Sequence, residues 1–232
     1  MLGTVGSQQS SVSWTGSLTA GQTAVVNLTG STTFAMGSSY VVSVHVFNPN
    51  GGTDVNANND SIKQTVCPSM VGTFTINPSG SGALNFTSFS AAVSALSCGG
   101  MAGPVTFVVS NGTYNEQISI GNISGTSATN RLRFVSASGD SSACVISYNG
   151  TYTVQLNGSK YVTFRKIGIT STSQYALYFI GTSPSEDSIA NCLITAPSGA
   201  TGSYVGIYGG TTGVITNLTI YNNAIVNGYY GI

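Results

Sequence analysis

Charge is what this sequence lacks most. Its 232 residues carry six basic and six acidic side chains, 5% in all, for a formal net charge of zero, against about 25% in an average soluble domain. With no basic excess and no basic cluster, the electrostatic footprint of a nucleic-acid-binding surface is missing. Disorder requires low hydrophobicity with high net charge, whereas 41% of these residues are hydrophobic. No apolar run reaches the ~18–20 residues of a membrane-spanning helix. The opening MLGTVGSQQS has neither the basic nor the apolar region of a secretory leader. Solubility falls to Ser, Thr, Asn and 30 Gly residues, a mixture suited to turns and strand edges.

What is present is periodic. Ile118, Cys144, Ile167, Cys192 and Leu218 form an apolar column with steps of 26, 23, 25 and 26 residues. Two places further on, Ile120, Ile146, Ile169, Ile194 and Ile220 repeat those steps. A near-constant step of about 20–30 residues marks a solenoid, and the two-residue phase inside each unit marks a strand. Strands stacked coil on coil give a parallel β-helix. Each coil is expected to open on an alternating strand: VTFVV (105–109), RLRFV (131–135), YTVQL (152–156), YALYF (175–179) and YVGIY (204–208). A second strand then carries the columns. Phe164, Ile189 and Ile215 extend the inward set, and Lys166, Asn191 and Asn217 share one turn register, where Asn can satisfy stacked backbone groups.

Three regions follow. Residues 1–66 read as antiparallel β, with strands at SVSW (11–14), TAVVNL (23–28), YVVSVHVF (40–47) and IKQTV (62–66). Residues 67–104 form a linker holding the one helical candidate, NFTSFSAAVSAL (85–96). Its Phe89, Ala92, Val93 and Leu96 recur at helical spacing, Thr87 or Ser88 is placed to cap it, and it is a suitable lid for the first coil. Residues 105–232 are the coils. The last of them stops inside a new strand with no cap in view, which reads as an excerpt of a longer polypeptide.

Two resemblances rest on these residues. Trp14–Leu18, the Ala-Gly-Gln turn at 20–22 and the Asn-Pro-Asn-Gly-Gly-Thr-Asp stretch at 48–54 resemble part of the Ig-like β-sandwich modules of large bacterial surface proteins. GTYNEQISI (112–120), the helix, and the Asn-Cys-Leu-Ile and Asn-Leu-Thr-Ile strands resemble the right-handed parallel β-helix superfamily of pectate lyases and pectin methylesterases, over residues 72–232. That superfamily holds lyases, hydrolases, esterases, tailspikes and adhesins, so the resemblance implies a fold and leaves the chemistry to the residues.

Those residues do not assemble a catalytic set. Pectin methylesterases carry paired Asp residues, an Arg and a Gln-Asp-Thr-Leu motif; no Gln-Asp-Thr-Leu is present here, and no acid stands in register with Asp140 or Asp187 on the next coil. Glycoside hydrolysis asks for two carboxylates ~5–10 Å apart. Glu186 and Asp187, as neighbours on a turn, are expected to point apart into solvent. Lyases of the superfamily use an Arg or Lys base beside acid-bound Ca2+, but Arg165 and Lys166 have no acidic cluster in register. Arg131 and Arg133 alternate with apolar residues and read as outward, solubilising charges.

Other candidates concern binding. Asp54, Asn56, Asn58 and Asp60 offer oxygen ligands of the kind Ca2+ takes, without the sixth-place Gly and distal Glu of an EF-hand; a polar hairpin loop is the other reading. No further cofactor is implied. His45 stands alone on a strand. Tyr178, Tyr204 and Tyr208 are expected to face outward in a row that could stack on sugar rings. Cys144 and Cys192 fall two coils apart, ~9–10 Å, too far for a disulfide, and read as buried free thiols. Cys67 and Cys98 bracket the cap segment and are free to pair in an oxidising compartment. The leading expectation is an extracellular or cell-surface structural or adhesive β-helix. The alternatives are a polysaccharide-active enzyme of pectin lyase or pectinesterase type, with catalytic coils outside these residues, and a non-catalytic glycan-binding module. Partners would be a polysaccharide, a cell-surface glycan or further copies of the chain.

Overall fold

Short strands account for nearly all regular structure in the chain, a computed structural model that describes residues 2–5, 8–47, 56–199, 202–210 and 214–232. It divides into two units, Met1–Pro68 and Ser69–Ile232. In the first, β1 (Leu2–Val5), β2 (Gln8–Ser11), β3 (Tyr40–His45) and β4 (Ser61–Val66) form one antiparallel sheet in the order β2-β1-β3-β4. The expected strands at 11–14 and 23–28 do not form beyond Ser11. Val25 is 90% exposed: an apolar alternation stays a strand only where a neighbouring strand and a covered face hold it.

The second unit begins with β5 (Met70–Ile76), β6 (Asn85–Phe86) and one helix, α1 (Phe89–Gly99). Five coils follow. The first holds β7 (Met101–Val109), β8 (Gly112–Asn115) and β9 (Ile118–Ile120). The second holds β10 (Leu132–Ser136), β11 (Cys144–Tyr148) and β12 (Tyr152–Asn157). The third holds β13 (Val162–Arg165), β14 (Gly168–Ser171) and β15 (Tyr175–Ile180). The fourth holds β16 (Ser188–Ala190), β17 (Leu193–Thr195) and β18 (Val205–Gly209), and the fifth holds β19 (Thr219–Tyr221) and β20 (Ala224–Val226). They stack as three parallel sheets, β19-β16-β13-β10-β7-β5-β6, β20-β17-β14-β11-β8 and β18-β15-β12-β9. This is a parallel β-helix with three strands to the coil.

Three strands, where two were expected, change the register. Within the second sheet the middle of the expected column holds: Ile146 lies beside Ile169 and Ile169 beside Ile194. Its ends do not. Tyr114 lies beside Ile146, and Ile225 beside Ile194. Ile118 and Ile120 belong to the third sheet beside Val154 and Leu156. Ile220 belongs to the first sheet beside Ile189, in the place expected for Ile215. Strands 152–157, 175–180 and 205–209 are likewise third-sheet strands, whereas 101–109 and 132–136 are first-sheet strands. The cause is uneven turn length: a constant step tracks the coils only where successive turns match. The ladder also starts earlier than residue 105, because β5 already pairs with β7 in parallel.

The interior is a set of such columns. Phe74, Phe107, Phe134 and Phe164 follow one another down the first sheet, all at most 1% exposed. The rings of Phe107, Phe134 and Phe164 stack at 5.1 and 5.0 Å, and burying each stabilises the fold by roughly 1.5–3 kcal/mol. Among the described residues, buried apolar side chains all lie between Met70 and Ile207. Helix α1 buries Phe89, Ala92, Val93 and Leu96 and is capped by Ser88, whose hydroxyl accepts from the Ala91 amide.

Candidate functional site

Four of the six acidic residues lie in the coiled unit, and each accepts hydrogen bonds that fix local backbone or a neighbouring turn. Glu116, between β8 and β9, reaches α1: one oxygen accepts from the Phe89 amide at 3.0 Å, the other from the Ser90 amide and hydroxyl at 2.8 and 2.6 Å. A carboxylate at free helix N–H groups meets both unpaired donors and the positive end of the helix dipole. Asp140 closes its own turn, accepting from the Ser142 amide and hydroxyl at 2.8 and 2.7 Å. Those bonds hold its carboxyl below the usual range. The Glu186 carboxylate accepts from the Asn217 amide group at 2.6 Å.

Asp187 is the carboxylate that the sequence misplaces. It is 1% exposed, not in solvent, and accepts from the Ser159 hydroxyl at 2.6 Å and the Val162 amide at 2.8 Å. Burial raises its pKa above the ordinary value; the Ser159 and Val162 bonds and Arg131 oppose that shift in part. Arg131 is also more than a surface charge. It donates to the Glu186 carbonyl and lies over the Tyr161 ring, 5.6 Å from its centre. The turns at Lys160, Ser185 and Thr216 stack by parallel bridges, which puts Asp187 one coil above Ser159. Within a two-strand coil that meeting could not be read.

The same stacking sorts six of the left-handed residues into two ladders. Lys166, Asn191 and Asn222 have φ of 57°, 55° and 51°, and Tyr161, Glu186 and Asn217 have 60°, 61° and 53°. Asn217 therefore leaves the row expected for it, and Asn222 takes that place, donating from its side chain to the Asn191 side chain at 2.7 Å. Asn tolerates this conformation better than other non-glycine residues.

The outward columns can now be listed from the register. On the first sheet they run Thr106, Arg133, Thr163, Ser188, Thr219 and Val108, Val135, Arg165, Ala190, Tyr221. These columns hold two guanidinium groups and no carboxylate. On the third sheet, Ser119, Gln155, Tyr178 and Tyr208 form an uncharged outward column. Tyr178 and Tyr208 gather with Tyr152 and Tyr175: Tyr175 stacks on Tyr208 at 4.4 Å and Tyr178 on Tyr208 at 5.5 Å. Burial raises the Tyr175 phenol pKa, helped by Tyr208 and Tyr178. Tyr204 is not part of these ring contacts; its carbonyl accepts from the Tyr229 and Tyr230 amides.

Cys144 and Cys192 are buried free thiols, and burial pushes the Cys144 thiol up to about 12. Cys67 and Cys98 are disulfide-bonded. Asp54 lies outside the described residues. Among the described residues, Asp60 included, no group of three or more His, Cys, Asp or Glu could hold a metal ion. No helix among them is long and apolar enough to cross a membrane.

No protein-family profile matches the chain, and no curated protein matches it. Two crystal structures of Aspergillus niger pectin methylesterase are similar in fold. The penultimately deglycosylated form shares 15% identity over 71% of this chain and 65% of that enzyme's chain, with a TM-score of 0.42. The deglycosylated form shares 13% over 72% and 92%, with a TM-score of 0.37. This chain thus spans less than two thirds of the first enzyme's length.

Proposed function

We propose that the chain is a structural or adhesive part of an extracellular or cell-surface polypeptide, without catalytic chemistry of its own in these coils. The observation that carries this reading is the engagement of all four coil carboxylates in holding turns and α1. Hydrolysis of a glycosidic bond or ester would ask for acids facing a substrate across an outer face, and the outward columns of the first sheet have none. Disulfide-bonded Cys67 and Cys98 support an oxidising setting. In this reading α1 closes the N-terminal end of the coils, and the antiparallel unit is part of an Ig-like spacer. Adsorption tests the adhesive role: the chain should be retained on at least one immobilised polysaccharide, with the polymer's length and ester content unchanged. Release from every polysaccharide tested would remove the adhesive part.

A second reading, a glycan-binding module, is favoured by the uncharged third-sheet face. Its tyrosines stack on one another, so they offer ring edges and hydroxyls beside Ser119 and Gln155 and leave less ring face free for a sugar. With no cation in that column, the suited ligand is a neutral glycan. Tyr208→Ala and Tyr178→Ala should each weaken neutral-glycan binding about tenfold; unchanged binding would remove the reading.

A further inference from the structure

Tyrosines from three successive coils gather at the third sheet. Tyr152 is on β12, Tyr175 and Tyr178 are on β15, and Tyr208 is on β18. The parallel register sets Tyr178 directly beside Tyr208. Their rings stack 5.5 Å apart at 28°, and Tyr175 packs on both, 4.4 Å from Tyr208 and 5.2 Å from Tyr178. Offset stacking of this kind holds the rings at a preferred separation.

Gly210, just past β18, shows how close the reactive carbons come. The Cε2 of Tyr178 and the Cε1 of Tyr208 each lie 2.8 Å from the point where a Cβ would stand at Gly210. Those carbons flank the phenol hydroxyl and are the ring positions at which phenoxyl radicals join. They therefore sit within two such lengths of one another, on different coils. A side chain at position 210 would collide with both. Tyr208 is 37% exposed, so an oxidant in solvent reaches the pair.

We propose that Tyr178 and Tyr208 are an oxidative cross-linking site, joined as dityrosine by a one-electron oxidant of the haem peroxidase and hydrogen peroxide class. Each phenol gives up one electron and one proton, and one peroxide takes both pairs to become two waters. The radicals couple through a new Cε–Cε bond. Each ring regains aromaticity as its Cε–H bond breaks and the proton moves to the phenol oxygen. The product lacks two hydrogens and ties the third coil to the fourth. Because the rings are already held together, coupling within one chain outpaces coupling between chains.

Treatment of the dilute chain with a haem peroxidase and one equivalent of peroxide tests this, followed by dityrosine fluorescence and intact mass. The expected product is a monomer lighter by two hydrogens. Cleavage after Glu116 and Glu186 should leave residues 117–186 and 187–232 joined, with the link mapped to Tyr178 and Tyr208. The urea midpoint should rise, since a covalent loop constrains the unfolded chain. Tyr208→Phe keeps the ring and removes the phenol, so it should abolish the link with an unchanged far-UV spectrum. Tyr178→Phe should do the same and is the second variant should the first fail to fold. Tyr148→Phe, at a position also 37% exposed, should leave the yield unchanged. No link in the folded chain, a link mapped to another pair, or a yield that survives either cluster variant would overturn the inference.

Discussion

Asp187 shows how much a single carboxylate depends on its coil. Its folded pKa is raised by burial, so folding favours the protonated acid. The stability this group contributes is fully present below its unfolded pKa and is lost as pH rises through the folded one. Asp187→Asn keeps the shape and removes the titration. The variant should gain stability relative to the parent as pH rises above the usual carboxylate range, as measured by urea unfolding at each pH. A difference that does not vary with pH would count against a buried, desolvated acid. Cys144 and Cys192 are predicted from the same physics to stay unmodified by a thiol reagent at about pH 8 until the protein unfolds. Glu116 acts at the opposite extreme, as an acceptor for amides of a helix start. Glu116→Ala should cost about 1–2 kcal/mol in chemical unfolding, and Glu116→Gln less.

At the scale of elements, the strands were easier to read than their stacking. The two-residue phase identified Cys144, Ile146, Ile167, Ile169, Cys192 and Ile194 as one inward face, and the i, i+3, i+4, i+7 spacing located α1. What the pattern could not carry was the number of strands per coil, because Ile118 and Ile220 are apolar in alternating strands of any sheet. Asp187 and Arg131 were misread for the same reason: their partners are set by turns one coil away. The strand candidate at 23–28 failed because nothing covers Val25. Two variants probe the stacking directly. Phe134→Ala, between Phe107 and Phe164, should cost about 3–5 kcal/mol. At Asn191, Gly should be close to neutral, whereas Val should cost about 1–2 kcal/mol in the left-handed conformation; equal effects from both would contradict that ladder.

For the whole molecule, scarcity of charge is the property that links fold, site and behaviour. Twelve charged side chains leave little to spare for chemistry, and the four coil acids are already engaged as acceptors. The central claim, that these acids hold structure and do not turn over substrate, is open to one direct measurement. The purified chain would be incubated with esterified and de-esterified polygalacturonate while methanol, new reducing ends and unsaturated products are followed. The account predicts no turnover above a heat-denatured control. Turnover that is abolished by Asp140→Asn or Glu186→Gln in a protein that still folds would contradict it.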